Sequence, residues 1–336
     1  MDRLVTVFGA SGFVGQQVVR NLARAGWRIR AVTRNPHQER AQRLSVHGVV
    51  GQIEVVAGNI RKPESVHSCM ADATAAVNLV GVLYERGRQR FQALQAMGAR
   101  NLAEACVANG VEQLVQVSAI GADAESSAAY ARTKAEGEQA VLELVPGATV
   151  LRPSVIFGTE DQFFNRFGAM AAVAPALPLI GGGATRFQPV YVGDVAKAVV
   201  AALQDPSARG RTYELGGPKT YSFRQVLELV LRETGRERAL LPLPFFAANL
   251  MGRAFDLVTP VLPFAPPLTS GQVELLRRDN VVSEEVLGLQ DLGIAPTAAE
   301  GIIGSYLYRF RKAGQYSTLE PEKSVNTAEA LGPTSI

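Results

Sequence analysis

The stretch Leu4-Val5-Thr6-Val7-Phe8-Gly9-Ala10-Ser11-Gly12-Phe13-Val14-Gly15 decides the fold. Its first five residues are apolar or β-branched and read as a short strand. Glycines at 9, 12 and 15 punctuate a turn, and the pattern from Phe13 to Ala25, closed by Gly26, reads as a helix. Strand, glycine turn and helix in that order present unpaired backbone N–H groups and the positive end of a helix dipole to a dinucleotide pyrophosphate. Gly9 permits the tight turn, Gly12 lets phosphates approach the backbone, and Gly15 lets the helix pack closely on the strand.

The second strand, Arg28-Ile29-Arg30-Ala31-Val32-Thr33-Arg34, bears on the nucleotide. NAD binders carry an Asp or Glu about 20 residues past the glycines for the ribose 2′-hydroxyl. Here no carboxylate lies between Asp2 and Glu39, and Arg34 ends the strand, where a guanidinium can grip a 2′-phosphate. The expected cofactor is therefore NADPH, with NADP preferred over NAD. Arg20 and Arg24 read as solvated helix residues.

Farther along, strands are expected at Ile53–Ala57, Ala75–Val80, Gln113–Val117 and Thr149–Leu151, with helices over Phe91–Ala108 and Ala129–Leu144. Such alternation predicts an α/β fold, a Rossmann-type doubly wound parallel sheet, whose ligands bind at the C-terminal strand ends. The candidate cofactor-binding residues cluster there: Gly9, Ser11, Gly12, Phe13, Val14, Arg34, Asn59, Ile60, Leu79, Val80, Gly81, Val117, Ser118, Pro153, Ser154 and Ile156. Tyr130 and Lys134 stand four apart on a helix and share a face, so both can address the nicotinamide ribose. They are the candidate catalytic pair, an ammonium lowering the phenol pKa, or else clamps on the cofactor.

Past the sixth strand the segment 157–184 reads as a helix and loops over the sheet. Val190–Leu203 resumes a strand-to-helix pattern with Asp194 placed to cap the helix, Tyr213–Leu215 reads as a late strand, and Phe223–Thr234 as a helix begun by Thr220-Tyr221-Ser222. The division this suggests is a dinucleotide-binding domain over 1–156, completed by about 188–217. A smaller, mainly helical lobe covers 157–187 and 218–312, and a disordered tail covers 313–336.

Composition narrows the function classes. Among 336 residues, 47% hydrophobic and 19% charged content argues for a packed globular chain. A net charge of +3 without basic blocks points away from nucleic acid. Cys69 and Cys106 are isolated and His37, His47 and His67 unclustered, so no metal site is expected. Met1 lies almost against the first strand, leaving no room for a targeting segment, and no uncharged apolar run reaches the ~18 residues of a bilayer span.

Gly9–Gly15, Tyr130-Ala131-Arg132-Thr133-Lys134 and the strand-end sites together resemble the short-chain dehydrogenase/reductase superfamily in its extended or atypical branch. Leu151-Arg152-Pro153-Ser154-Val155-Ile156-Phe157-Gly158-Thr159-Glu160-Asp161-Gln162-Phe163-Phe164-Asn165 is similar to the NAD(P)H-binding accessory subunits of respiratory complex I. So are Gln188-Pro189-Val190-Tyr191-Val192-Gly193-Asp194-Val195-Ala196-Lys197 and Leu241-Pro242-Leu243-Pro244, and the resemblance spans roughly 3–310. It implies a bacterial member with a tightly held NADPH, a role in assembly and stability, other complex I subunits as partners, and a peripheral place on the cytoplasmic side of the inner membrane. The alternative it leaves open is an NADP-dependent oxidoreductase or epimerase-type enzyme, linked to ubiquinone biosynthesis.

One departure concerns catalysis. Active extended reductases place a Ser or Thr two residues beyond the first Ser of the segment that here reads Val117-Ser118-Ala119-Ile120-Gly121; that position is Ile120. One further stretch concerns partners. Over about 243–267, the helical spacing of Phe245, Leu250, Phe255 and Val258 suggests an apolar face that touches a membrane surface or partner helices.

Overall fold

The computed structural model describes residues 3–258 and 268–317. The first half alternates strands and helices: β1 (Leu4–Phe8), α1 (Phe13–Arg24), β2 (Arg28–Thr33), the short α2 (Glu39–Gln42), β3 (Ile53–Ala57), α3 (Pro63–Cys69), β4 (Ala75–Asn78), α4 (Met97–Ala108), β5 (Gln113–Val117), α5 (Ala129–Leu144) and β6 (Thr149–Pro153). There follow β7 (Ile156–Phe157), α6 (Phe164–Val173), β8 (Ala176–Ile180), β9 (Arg186–Phe187), β10 (Val190–Tyr191), α7 (Val192–Gln204), β11 (Thr212–Leu215), β12 (Tyr221–Ser222), α8 (Phe223–Thr234), β13 (Ala239–Leu243), α9 (Phe245–Val258), α10 (Ser270–Leu275) and α11 (Glu300–Leu307).

Seven strands form one parallel sheet in the order β11-β6-β5-β4-β1-β2-β3. The chain builds outward from β1 to β3, then crosses back to add β4 on the other side of β1. That reversal opens a crevice at the C-terminal ends of β1 and β4, where open parallel sheets bind ligands. Both faces of the sheet are covered, so every residue of β1 is buried. Val5 and Val7 face one core with Val18, Val19 and Leu22 of α1 and Val195 and Val199 of α7. Phe8 faces the other, with Val66 of α3, Leu102 of α4 and Val141 of α5.

Several local expectations are adjusted by packing. β4 stops at Asn78 and β6 runs on to Pro153. The helix expected from Phe91 opens with a wide π-type turn over Gln92–Ala96 before α4 proper. There Gln95 accepts from Thr133 Oγ1 (3.0 Å) and donates to Val82 O (2.9 Å). Gly137 of α5 lies so close that a Cβ would come within 2.3 Å of Gln95 O.

Asp194 does not cap α7. It sits inside the first turn, fully buried, accepting from Lys197 Nζ (2.9 Å) and Thr297 N (2.7 Å), so it ties α7 to the C-terminal region instead. Ser222, in contrast, makes a full capping box with Gln225. Helices α6, α8 and α11 enclose a core around Phe157, Phe164, Val230 and Ile303, and β13 pairs in parallel with β8 outside the main sheet. Of the tail expected over 313–336, Gly314–Tyr316 forms a 3-10 turn, and 318–336 fall outside the described residues.

Two helical glycines should respond to alanine with opposite signs. At Gly15 a Cβ would lie 2.3 Å from Gly9 O and 2.4 Å from Ala10 O, so Gly15→Ala should cost about 1–3 kcal/mol despite its better helix propensity. At Gly301 a Cβ meets nothing within 4 Å, and Gly301→Ala should gain about 0.4–1 kcal/mol. Urea unfolding of the two variants checks both.

Candidate functional site

The turn after β1 is built as a cradle. Gly9 adopts φ +82°, a conformation that disfavours a side chain, and a Cβ there would press within 3.1 Å of Leu79 C. Gly12 N donates to Gly9 O (3.0 Å) and Gly12 precedes α1 without any side-chain cap. No acidic residue occupies the first turn of α1, so its N–H groups face the crevice available to an anion.

From this turn a cavity of about 970 Å³ runs along the strand ends and on beneath the C-terminal region. Its wall brings together Gly9, Gly12, Phe13, Val14, Leu79, Gly81, Val117, Ser118, Tyr130, Lys134, Pro153, Ser154 and Ile156. The other candidates lie off the wall. Ser11 is half-buried in the turn, and Arg34 is exposed just past the end of β2. Asn59 is committed locally, its Oδ1 accepting from Arg61 N (3.2 Å). The Ile60 side chain is buried in the core, and Val80 N donates to Asn78 Oδ1 (3.1 Å).

Helix α5 delivers Tyr130 and Lys134 to the same wall. It is held to β6 by Glu138, whose buried carboxylate takes a forked contact from Arg152, 2.6 Å at the shorter arm. Lys134 Nζ donates to Val117 O (3.3 Å) and lies where a Cβ on Gly81 would meet it at 3.3 Å. Burial pulls its ammonium down from 10.5 to about 8, against the opposing pull of Glu138. The Tyr130 ring stands edge-on to Phe91 at 5.8 Å, and burial pushes its hydroxyl up to about 12. The sequence leads one to expect an ammonium lowering the phenol; here desolvation moves it the other way.

Two further observations concern what the site can hold. The buried hydroxyls of Ser118, just past the end of β5, and Thr33, beside Arg34 at the end of β2, have no hydrogen-bond partner among the described residues. Buried hydroxyls are normally satisfied, so groups left over at two strand ends flanking the crevice fit an elongated polar ligand laid across it. Ser154, by contrast, is spent: its Oγ donates to Asn280 Oδ1 (2.6 Å) and lies 2.9 Å from Asn280 O. Its backbone N–H is also taken, donating to Leu215 O (2.9 Å). Asn280, 126 residues away, has no motif around it and was not legible in the sequence. Ile120 lines the cavity, its N–H donating to Pro153 O (3.0 Å), and offers no hydroxyl.

The neutral preference of buried Lys134 has a sign that can be measured. An unfolded lysine keeps its proton to about 10.5, whereas the folded one releases it near 8. The unfolded state therefore binds more protons in that window, and stability rises with pH across it. Tyr130, held neutral to about 12 against an ordinary 10, reverses the trend above pH 10. Urea titrations should show Lys134→Met removing the rise between pH 8 and 10.

Residues 5–216 match the NAD dependent epimerase/dehydratase family. The mitochondrial protein NADH dehydrogenase (ubiquinone) 1 alpha subcomplex subunit 9 of Arabidopsis thaliana is 35% identical over 317 residues, covering 93% of this chain and 79% of that protein. The protein of the same name from Mus musculus is 33% identical over 328 residues, covering 96% and 85%. Among solved structures, the NADPH-dependent quinone oxidoreductase QOR2 from Escherichia coli, complexed with NADPH, superposes with a TM-score of 0.69 at 19% identity, covering 90% of this chain and 99% of that one.

Proposed function

The chain belongs to the NAD dependent epimerase/dehydratase family, and within it we propose an accessory subunit of respiratory complex I that retains NADPH as a structural group. The observation that carries this reading is the pairing of an intact nucleotide cradle, Gly9 to Gly15, with Ile120 where the family resemblance calls for a carbonyl-polarising hydroxyl. Relatives named as complex I subunits, at 33–35% identity over nearly the whole chain, support the assembly role.

The residues fit the cofactor as follows. The uncapped N-terminus of α1 would hold the pyrophosphate. Ser118 and the Tyr130–Lys134 pair would hold the nicotinamide ribose end, the orphaned Ser118 hydroxyl gaining the partner it lacks. Arg34 would take the 2′-phosphate, since no carboxylate competes for the ribose from Asp2 to Glu39. NADPH supplies hydride chemistry when bound; these residues supply anchoring. The phosphates would favour a protonated Lys134, offsetting the burial that draws it down to about 8. With no hydroxyl at position 120 and the Tyr130 proton held to about 12, the chain lacks a poised acid for a carbonyl.

We further propose that the protein sits peripherally on the cytoplasmic side of the bacterial inner membrane. No helix among the described residues is long and apolar enough to cross a membrane. Helix α9 instead turns Phe246, Leu250 and Leu257 outward, 71–82% exposed, with exposed Arg253 between them. An apolar stripe with a basic residue suits an interface of lipid headgroups. The face differs from the one expected. Phe245 turns inward over Gly181 and under the Arg277 guanidinium (4.7 Å), Phe255 is half-buried, and 259–267 lie outside the described residues.

Affinity purification from solubilised membranes, with release and identification of the bound nucleotide, tests the reading. The expected result is complex I subunits together with near-stoichiometric NADPH. Recovery of the chain alone and nucleotide-free would overturn it. Separately, Arg34→Ala should weaken NADPH binding roughly 10- to 100-fold, the loss of one charge-assisted contact, and leave NADH binding unchanged. Titration of nucleotide fluorescence measures both.

A further inference from the structure

The cavity is larger than its nucleotide-lined part. Beside Ser118 and Tyr130 its lining takes in Phe167, Met170, Phe187, Phe223, Leu243 and Phe255. None of these six has a polar atom to offer a ligand. Four charged groups at the wall are paired: Glu160 with Arg40, Glu274 with Arg277 (3.2 Å), Arg278 with Asp123 (2.8 Å) and Asp279 with Arg186 (2.8 Å); Arg166 also interacts within the protein, and Arg86 is exposed. The side-chain oxygen of Gln272 is taken up in the capping box of α10, and that of Asn280 by Ser154 Oγ and Val155 N (3.0 Å).

A sugar diphosphate would need unpaired cations and hydrogen-bonding partners here, and taking them would break existing pairs. An apolar chain needs only surface to displace water from, and that is what the chamber provides. Its near end opens at Ser118 and Tyr130, beside the part of the cavity assigned above to NADPH. We propose that this inner chamber binds a single long hydrocarbon chain, fatty-acyl or polyprenyl, with its polar end toward Ser118 and Tyr130. The proposal rests on the nucleotide reading above, which assigns the cradle end of the same cavity to NADPH.

The test uses the full-length chain, with and without NADPH, and dansyl-undecanoate as the fluorescent probe. The probe should bind with micromolar affinity whether or not NADPH is present. It should be displaced by fatty acids from octanoate to dodecanoate with affinity rising up to about fourfold per added CH₂, or by farnesol, and the two arms separate an acyl from a prenyl ligand. UDP-glucose should not displace it. Filling the chamber by Met170→Trp, or independently Leu275→Trp, should weaken the probe at least tenfold while NADPH binding and the melting temperature hold. The double variant Phe246→Glu/Leu250→Glu, on the outer face of α9, should leave probe binding unchanged.

Absence of probe binding, displacement by UDP-glucose, or loss of binding only in the α9 variant would overturn the proposal. Binding of the probe without NADPH binding would instead sink the nucleotide reading and leave the chamber standing.

Discussion

Everything in the site depends on one close contact. Helix α1 sits on the turn after β1 so tightly that no Cβ fits at Gly15, where it would meet the carbonyl oxygens of Gly9 and Ala10 at 2.3 and 2.4 Å. That approach brings the start of α1 to the mouth of the β1–β4 crevice and leaves its N–H groups without a side-chain cap. The buried face of α1, Val18, Val19 and Leu22, then shares one core with α7 and the sheet, so the position of the cradle is set by the packing of the whole domain. Burying each of those side chains stabilises by roughly 1.5–3 kcal/mol, which is what holds the glycine turn in its tight geometry.

The opposite wall has a different chemical character. Tyr130 and Lys134 are positioned by α5, itself clamped to β6 by the Glu138–Arg152 pair. Burial, the leading influence on both groups, drives the phenol up to about 12 and the ammonium down to about 8. At Tyr130 desolvation keeps the proton on the phenol, and Ile120 brings no hydroxyl to the same wall. The same pair is well suited to grip a ribose, where a hydroxyl and an ammonium act as donors.

Much of this was legible in the sequence because it is local. The alternation of β-rich segments with helical patterns placed all six of the first parallel strands, and the glycine spacing placed the cradle. What escaped depends on partners distant in sequence. Asp194 looked like a cap, and it is instead buried against Thr297. Ser154 looked free for a ligand, and its hydroxyl is taken by Asn280. In α9 nearly every position is apolar, so helical phase could not be read from hydrophobicity. Room for a ring at Gly181 and the Arg277 guanidinium turn Phe245 inward and leave Phe246 facing out. The apolar chamber is assembled from separated segments and has no signature in any one of them.

The central claim is that the cradle retains a nucleotide the protein does not consume. Fluorescence of NADPH bound to the purified chain, followed after addition of excess quinone and carbonyl acceptors, tests it most directly. A signal that persists unchanged, with intact NADPH recovered after denaturation, is the predicted result. Multiple turnovers of NADPH with any of those acceptors would contradict it.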